Sequence, residues 1–84
     1  DFYATWCGPC RLQHPVLAEL EGESAGLFKI VKVDTDREPE LATRYGVTAL
    51  PTLMLFRSGR VVDRWVGLQN ASTLRRALSA ETTR

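Results

Sequence analysis

Eighty-four residues suffice for one domain and little more, since a chain of this size buries only a little over ~60% of the surface its unfolded form exposes. With 44% hydrophobic and 25% charged residues, and Lys plus Arg at 11 against Asp plus Glu at 10, the composition is that of an ordinary globular domain carrying a net charge of +1. No basic stripe is interleaved with aromatics, which argues against a nucleic-acid partner, and no apolar run approaches the ~20 residues of a membrane helix, so no membrane span is expected.

The chain opens on Asp1-Phe2-Tyr3-Ala4, apolar apart from its acid, which reads as the end of a buried strand. It has no initiating Met and enters directly on that strand, so we expect an internal piece of a longer chain. Asp1 is in local conflict with its surroundings. It is either a solvated strand end or a buried acid whose pKa is raised by desolvation.

Trp6-Cys7-Gly8-Pro9-Cys10 holds both cysteines. Thiols two residues apart can close into a small disulfide ring and so pass two electrons between dithiol and disulfide states. The same spacing is half of a zinc site, and both readings stand on spacing alone. It does not look like the framework of a secreted disulfide scaffold, where bridges link distant loops.

From Pro9 to about Glu21, Leu12, Val16, Leu17 and Leu20 recur as one face of a helix requires. Pro9 suits the first turn, where its missing N–H is not needed, and Pro15 in the interior removes a backbone bond and predicts a kink. His14 shares a face with Cys10 at i+4, but one His beside one cysteine pair offers three ligands at most, so an exposed or packed His is the expectation. Residues Gly22 to Gly26 form a loop by composition. Leu27 to Val33 is nearly continuous in apolar residues and predicts a strand buried on both faces, completing a right-handed βαβ unit. Lys32 interrupts it, either snorkelling to solvent or paired with Asp1 on the neighbouring strand.

Asp36 is placed to cap a short helix over Arg37 to Tyr45, which Gly46 ends. Leu53 to Phe56 predicts the third strand, with Pro51 at its entry, where a cis peptide would mark a tight, fixed turn. Ser58-Gly59 turns the chain into a strand over Val61 to Val66, closed by Gly67. Asn70 caps a last helix with Leu74, Ala77 and Leu78 facing inward and Arg75 and Arg76 outward, before Glu81-Thr82-Thr83-Arg84 frays. The order is β-α-β-α-β-β-α, with no linker, repeat or low-complexity segment to divide it.

In this assembly the sequence resembles the thioredoxin family along its whole length. The likeness is carried by residues Asp1 to Cys10, Pro15, Lys32-Val33-Asp34, Pro39, Tyr45-Gly46-Val47, Leu50-Pro51-Thr52 and Val66-Gly67. A Cys-x-x-Cys beside a βαβ unit is itself a signature of that kind. The resemblance implies an α/β fold, a four-stranded mixed sheet flanked by helices, with cis-Pro51 facing the Cys-Gly-Pro-Cys motif. It also implies one thioredoxin domain over residues 1–84 that lacks the family's N-terminal strand and helix.

For function, the resemblance implies a protein-disulfide reductase. Cys7, just ahead of the helix, would be the nucleophile, with a thiolate pKa of about 7 in the family against about 8.5 for a free Cys. Cys10 would resolve the mixed disulfide, with Asp1 as its base and Lys32 as the charge tuning that base. An α-amino cation beside the carboxylate would hold its pKa down. Trp6, Gly8, Pro9, Leu50, Pro51, Val66 and Gly67 would form the substrate surface, the backbone of Leu50 pairing with an extended substrate segment. Protein disulfides are the expected substrates, a flavin-containing thioredoxin reductase the electron donor and the cytoplasm the compartment. Neither cofactor nor metal is needed, because the two cysteines carry the electrons. The alternatives are a disulfide oxidase or isomerase on the same scaffold, a non-enzymatic thioredoxin-like module of a larger chain, and a zinc-binding module.

Overall fold

The computed structural model describes residues 1–82. The elements are β1 (Phe2–Tyr3), α1 (Gly8–Glu23), β2 (Val33–Asp34), α2 (Pro39–Arg44), β3 (Thr52–Arg57), β4 (Arg60–Val66) and α3 (Ala71–Thr82). They form one four-stranded mixed sheet in the order β2-β1-β3-β4. β1 runs parallel to β2 with Phe2 opposite Val33, and antiparallel to β3 with Phe2 opposite Thr52. This is the expected α/β architecture.

The second strand is much shorter than its apolar content predicts. Leu27 to Lys32 were expected inside it, but only Val33 and Asp34 are strand residues, and Leu27 and Val31 are exposed. A strand forms only against a neighbour. The ladder along β1 begins where Asp1 donates its α-amino N–H to the Val31 carbonyl at 2.8 Å and accepts the Val33 N–H at 2.8 Å. Residues 27–30 lie beyond that ladder, and the Ile30 N–H goes to the Glu21 carboxylate at 2.5 Å instead.

Helix α1 presents a different face from the one hydrophobicity selects. Leu12 is exposed, and the buried positions are Cys10, Gln13, Leu17 and Leu20, a regular three-four spacing. Gln13 is fully buried because both ends of its amide are satisfied. Its Nε2 donates to the Gln69 carbonyl at 3.1 Å, and its Oε1 accepts the Gln69 N–H at 2.7 Å. The helix carrying the cysteines is thereby tied to the segment between β4 and α3.

Leu17, Leu20, Leu53 and Leu74 form the main core, with Ile30, Trp65 and Leu78 packed against it. Each buried leucine contributes about 1.5–3 kcal/mol relative to exposure, which joins α1, β3 and α3 into one body. Asp36 does not cap α2. The cap position is Glu38, and the turn ahead of it is built on Asp34, whose carboxylate accepts the Asp36 N–H at 3.0 Å and whose carbonyl accepts the Glu38 N–H at 2.8 Å. Tyr45 caps the end of α2, and Gly46 follows at φ +66°. Arg64 of β4 then donates to the carbonyls of Tyr45 and Gly46 at 2.7 and 2.9 Å, satisfying groups that the helix end leaves free.

The β3–β4 hairpin turns on Ser58 and Gly59, both at positive φ, as a two-residue loop matched to strand twist requires. A register shift between Leu55 and Phe56 follows. Asn70 Oδ1 accepts the Thr73 N–H at 2.9 Å at the head of α3. Glu81 and Thr82, expected to fray, are helical; Thr83 and Arg84 lie outside the described residues. The Arg57 guanidinium, donating to the Glu81 carbonyl at 2.8 Å, accounts for the added turn.

Candidate active site

The site is built at the junction of β1 and α1. Cys7 occupies the cap position in an extended conformation, and its N–H donates to the Ala4 carbonyl at 3.1 Å. Its Sγ accepts the Cys10 N–H at 3.2 Å, so a sulfur takes the capping role usually held by an oxygen. Gly8 and Pro9 form the first turn and bring the two cysteines to a Cα separation of 5.3 Å, where they are joined in a disulfide.

The two sulfurs have unequal surroundings. Cys10 is 0% exposed and Cys7 5%. Cys7 also lines an open groove of about 450 Å³ that Cys10 does not reach; Trp6, Gly8 and Pro9 form the wall on its side, and Thr35 and residues 47–50 the other. Trp6 is largely exposed, and its ring is oriented by a hydrogen bond from Nε1 to Asp36 Oδ2 at 2.8 Å. That gives Asp36 a task the cap assignment missed.

Leu50 packs against Ala4, Cys7 and Cys10. The Leu50–Pro51 peptide bond is cis. Pro51 is fully buried and does not line the groove. Its carbonyl accepts the Gly67 N–H at 2.8 Å, and Val66 pairs with Thr52, which fixes the end of β4 beside the entry to β3. Gly67 has φ +90°, a backbone conformation open to glycine at little cost. Val66 is exposed.

Asp1 is the buried acid of the two sequence readings, its side chain 1% exposed. Its partner is not Lys32. Oδ2 lies 3.2 Å from His14 Nε2, whereas Lys32 is exposed and holds its ammonium over the Tyr3 ring, 5.6 Å from the centroid. Lys32 lies opposite Asp1 in the parallel ladder, between Val31 and Val33, but its ammonium turns to the Tyr3 ring instead of the carboxylate. Burial lowers the pKa of the Asp1 α-amino group from 8.0 to about 6, so at neutral pH the expected cation beside the carboxylate is mostly discharged.

His14 is subject to opposing influences. Burial comes first in lowering its pKa from 6.5, followed by the charges of Lys32 and the α-ammonium. The Asp1 carboxylate at 3.2 Å pulls the other way. The lowering prevails, with burial as its leading cause. Sequence reasoning set His14 aside as a packed or exposed residue; its i+4 relation to Cys10 was the available signal. Gln13 gave none beyond its place in the three-four spacing.

A disulfide closed over one helical turn, with one sulfur at a groove and the other sealed behind it, opens and closes by taking up and giving out two electrons. Fold and site together define a thiol–disulfide oxidoreductase. The thioredoxin family model matches residues 1–80, and the chain belongs to that family. It is 46% identical over 78 residues to thioredoxin 1 of a Nostoc species, covering 93% of this chain and 73% of the relative. A thioredoxin of Staphylococcus epidermidis is 46% identical over 78 residues, covering 93% and 75%. Among solved structures, Fasciola hepatica thioredoxin superposes with a TM-score of 0.85 at 40% identity, over 95% of this chain and 75% of the other. Oxidised mitochondrial thioredoxin 3 of Saccharomyces cerevisiae gives 0.84 at 36%, over 95% and 74%. The chain is a protein-disulfide reductase by family and by its cysteine pair.

Proposed function

We propose that Cys7 attacks the substrate disulfide and that Cys10 resolves the resulting mixed disulfide. The observation that carries this division is that Cys7 borders the groove while Cys10 is sealed behind it. The Cys10 N–H and the positive end of the α1 dipole stabilise a thiolate on Cys7, which is the attacking species. A Cys10 thiol with no exposed surface needs a base to ionise it, and Asp1 is that base, acting through a water.

An extended substrate segment lies along the Leu50 backbone, with Trp6, Gly8 and Pro9 at one side of the sulfur and Val66 and Gly67 beyond Pro51. Main-chain pairing makes recognition broad, because backbone groups are common to all substrates. Protein disulfides are the substrates, a flavin-containing thioredoxin reductase restores the dithiol, and residues 1–84 act as one domain. No helix of the described residues is long and apolar enough to cross a membrane. We assign the reaction to the cytoplasm, where thiols are kept reduced; one relative, thioredoxin Y2 of Arabidopsis thaliana, is chloroplastic.

The test is turnover of insulin disulfides with a thioredoxin reductase and its reductant, comparing wild type with Cys7→Ser. Wild-type turnover and complete loss in the variant are expected. A folded wild-type chain without turnover would favour the non-enzymatic module.

A further inference from the structure

Both carboxylate oxygens of Asp1 and Nε2 of His14 are buried polar atoms that make no well-formed hydrogen bond among the described residues. Yet Oδ2 and Nε2 face each other at 3.2 Å. A small rotation of the imidazole that brings Nε2 into line with Oδ2 at this separation makes the pair a proton-transfer contact. The Asp1 side chain is 1% exposed and that of His14 25%, so the pair leads from the interior to solvent. His14 also stands one turn beyond Cys10 on α1, and residues four apart share a helix face.

A buried base must be reset. Each resolution of a mixed disulfide hands it a proton, and a carboxyl sealed from water has no direct way to release it. We propose that His14 is the positioning residue that carries this proton between the Asp1 carboxyl and solvent. The inference rests on the reading of Asp1 as the base for Cys10.

The Cys10 thiol gives its proton to the Asp1 carboxylate through a water, and its thiolate attacks Cys7 Sγ. The Cys7–Cys10 bond forms, the bond from Cys7 to the substrate breaks, and the electron pair leaves on the substrate sulfur. Two electrons pass from the dithiol to the substrate. The Asp1 carboxylic acid then transfers its proton to Nε2, and the imidazolium loses a proton to water at its exposed edge. His14 itself is neither oxidised nor reduced.

The groups facing the imidazole favour this role. The Tyr3 ring meets it edge-on at 5.0 Å between centroids and also carries the Lys32 ammonium at 5.6 Å. Burial and then the Lys32 charge disfavour a standing charge on the ring. A relay should be neutral at rest, ready to accept.

The test is the release of thionitrobenzoate over successive turnovers of its disulfide, with the dithiol regenerated by a thioredoxin reductase, followed by absorbance across pH in wild type, His14→Gln, His14→Ala and Asp1→Asn, with thermal melting to verify folding. His14→Gln should slow release about tenfold and change its pH profile, a smaller loss than the ~10²–10⁴ of removing a base outright. Added imidazole should restore His14→Ala. Release from His14→Gln at the wild-type rate with the wild-type pH profile would overturn the proposal. So would a slow His14→Ala that imidazole does not restore. Asp1→Asn separates the two readings: wild-type release from it would remove the base and the relay together, while a slow Asp1→Asn beside a fast His14→Gln would remove the relay alone.

Discussion

The backbone N–H of Cys10 donates to Cys7 Sγ at 3.2 Å, so the turn that joins the two cysteines also distinguishes them. One sulfur accepts the Cys10 N–H at the helix start, and the other is carried one turn into the helix and out of contact with solvent. The unequal surroundings of the two sulfurs follow from three residues of spacing.

Gln13 is expected to matter more for stability than its polar character suggests. Gln13→Leu leaves the Gln69 N–H and carbonyl without partners beneath a fully buried side chain, at a cost of about 1–3 kcal/mol. Urea unfolding should show a lower midpoint with an unchanged slope. An unchanged midpoint would mean that the clamp contributes nothing.

Leu74 joins α3 to the leucines of α1 and β3. Truncation to Ala should cost about 2–5 kcal/mol, a large fraction of the stability of so small a domain, measured by the same unfolding experiment. A loss below about 1 kcal/mol would show that α3 packs loosely there.

Trp6→Phe keeps an aromatic wall beside Cys7 but removes the Nε1 donor to Asp36. Because both groups are near water, stability should change by no more than about 1 kcal/mol. The effect should fall on the substrate step, as a roughly threefold lower kcat/KM on a protein disulfide. A large fall in the unfolding midpoint with unchanged kcat/KM would contradict this.

For His14 the pH dependence has a definite sign. It is a base whose pKa in the folded chain lies below its ordinary 6.5, with burial as the leading cause. Between those two values the unfolded chain binds more protons. The contribution to stability is therefore full above pH 6.5 and declines as the pH drops through 6.5 toward the folded value. NMR titration of the ring should give a midpoint below 6.5, and urea midpoints should fall over the same range. A midpoint above 6.5 would mean that the Asp1 carboxylate governs the ring.

The sequence carried the cysteine motif, the order of elements and the hairpin turn, because each is written in local chemistry: Pro9 in a first turn, Gly46 after α2, Gly59 in a two-residue loop. It misjudged what depends on a neighbour. Leu27 to Ile30 have the residues of a strand but lie beyond the ladder of β1, and Leu12 fits the apolar period of a helix whose buried face runs through Gln13 instead. Asp1 was legible as an anomaly and Lys32 as its natural opposite charge. The partner proved to be His14, reached across the sheet–helix contact, where no pattern along the chain connects the two.

The division of labour between the cysteines is tested most directly by trapping. Cys10→Ser and Cys7→Ser are each incubated with a protein disulfide, quenched with acid and analysed by mass spectrometry under non-reducing conditions. Cys10→Ser should accumulate a mixed disulfide on Cys7, and Cys7→Ser should accumulate little or none. A substrate trapped on Cys10 of the Cys7→Ser variant at an equal or greater rate would contradict the assignment of Cys7 as the nucleophile.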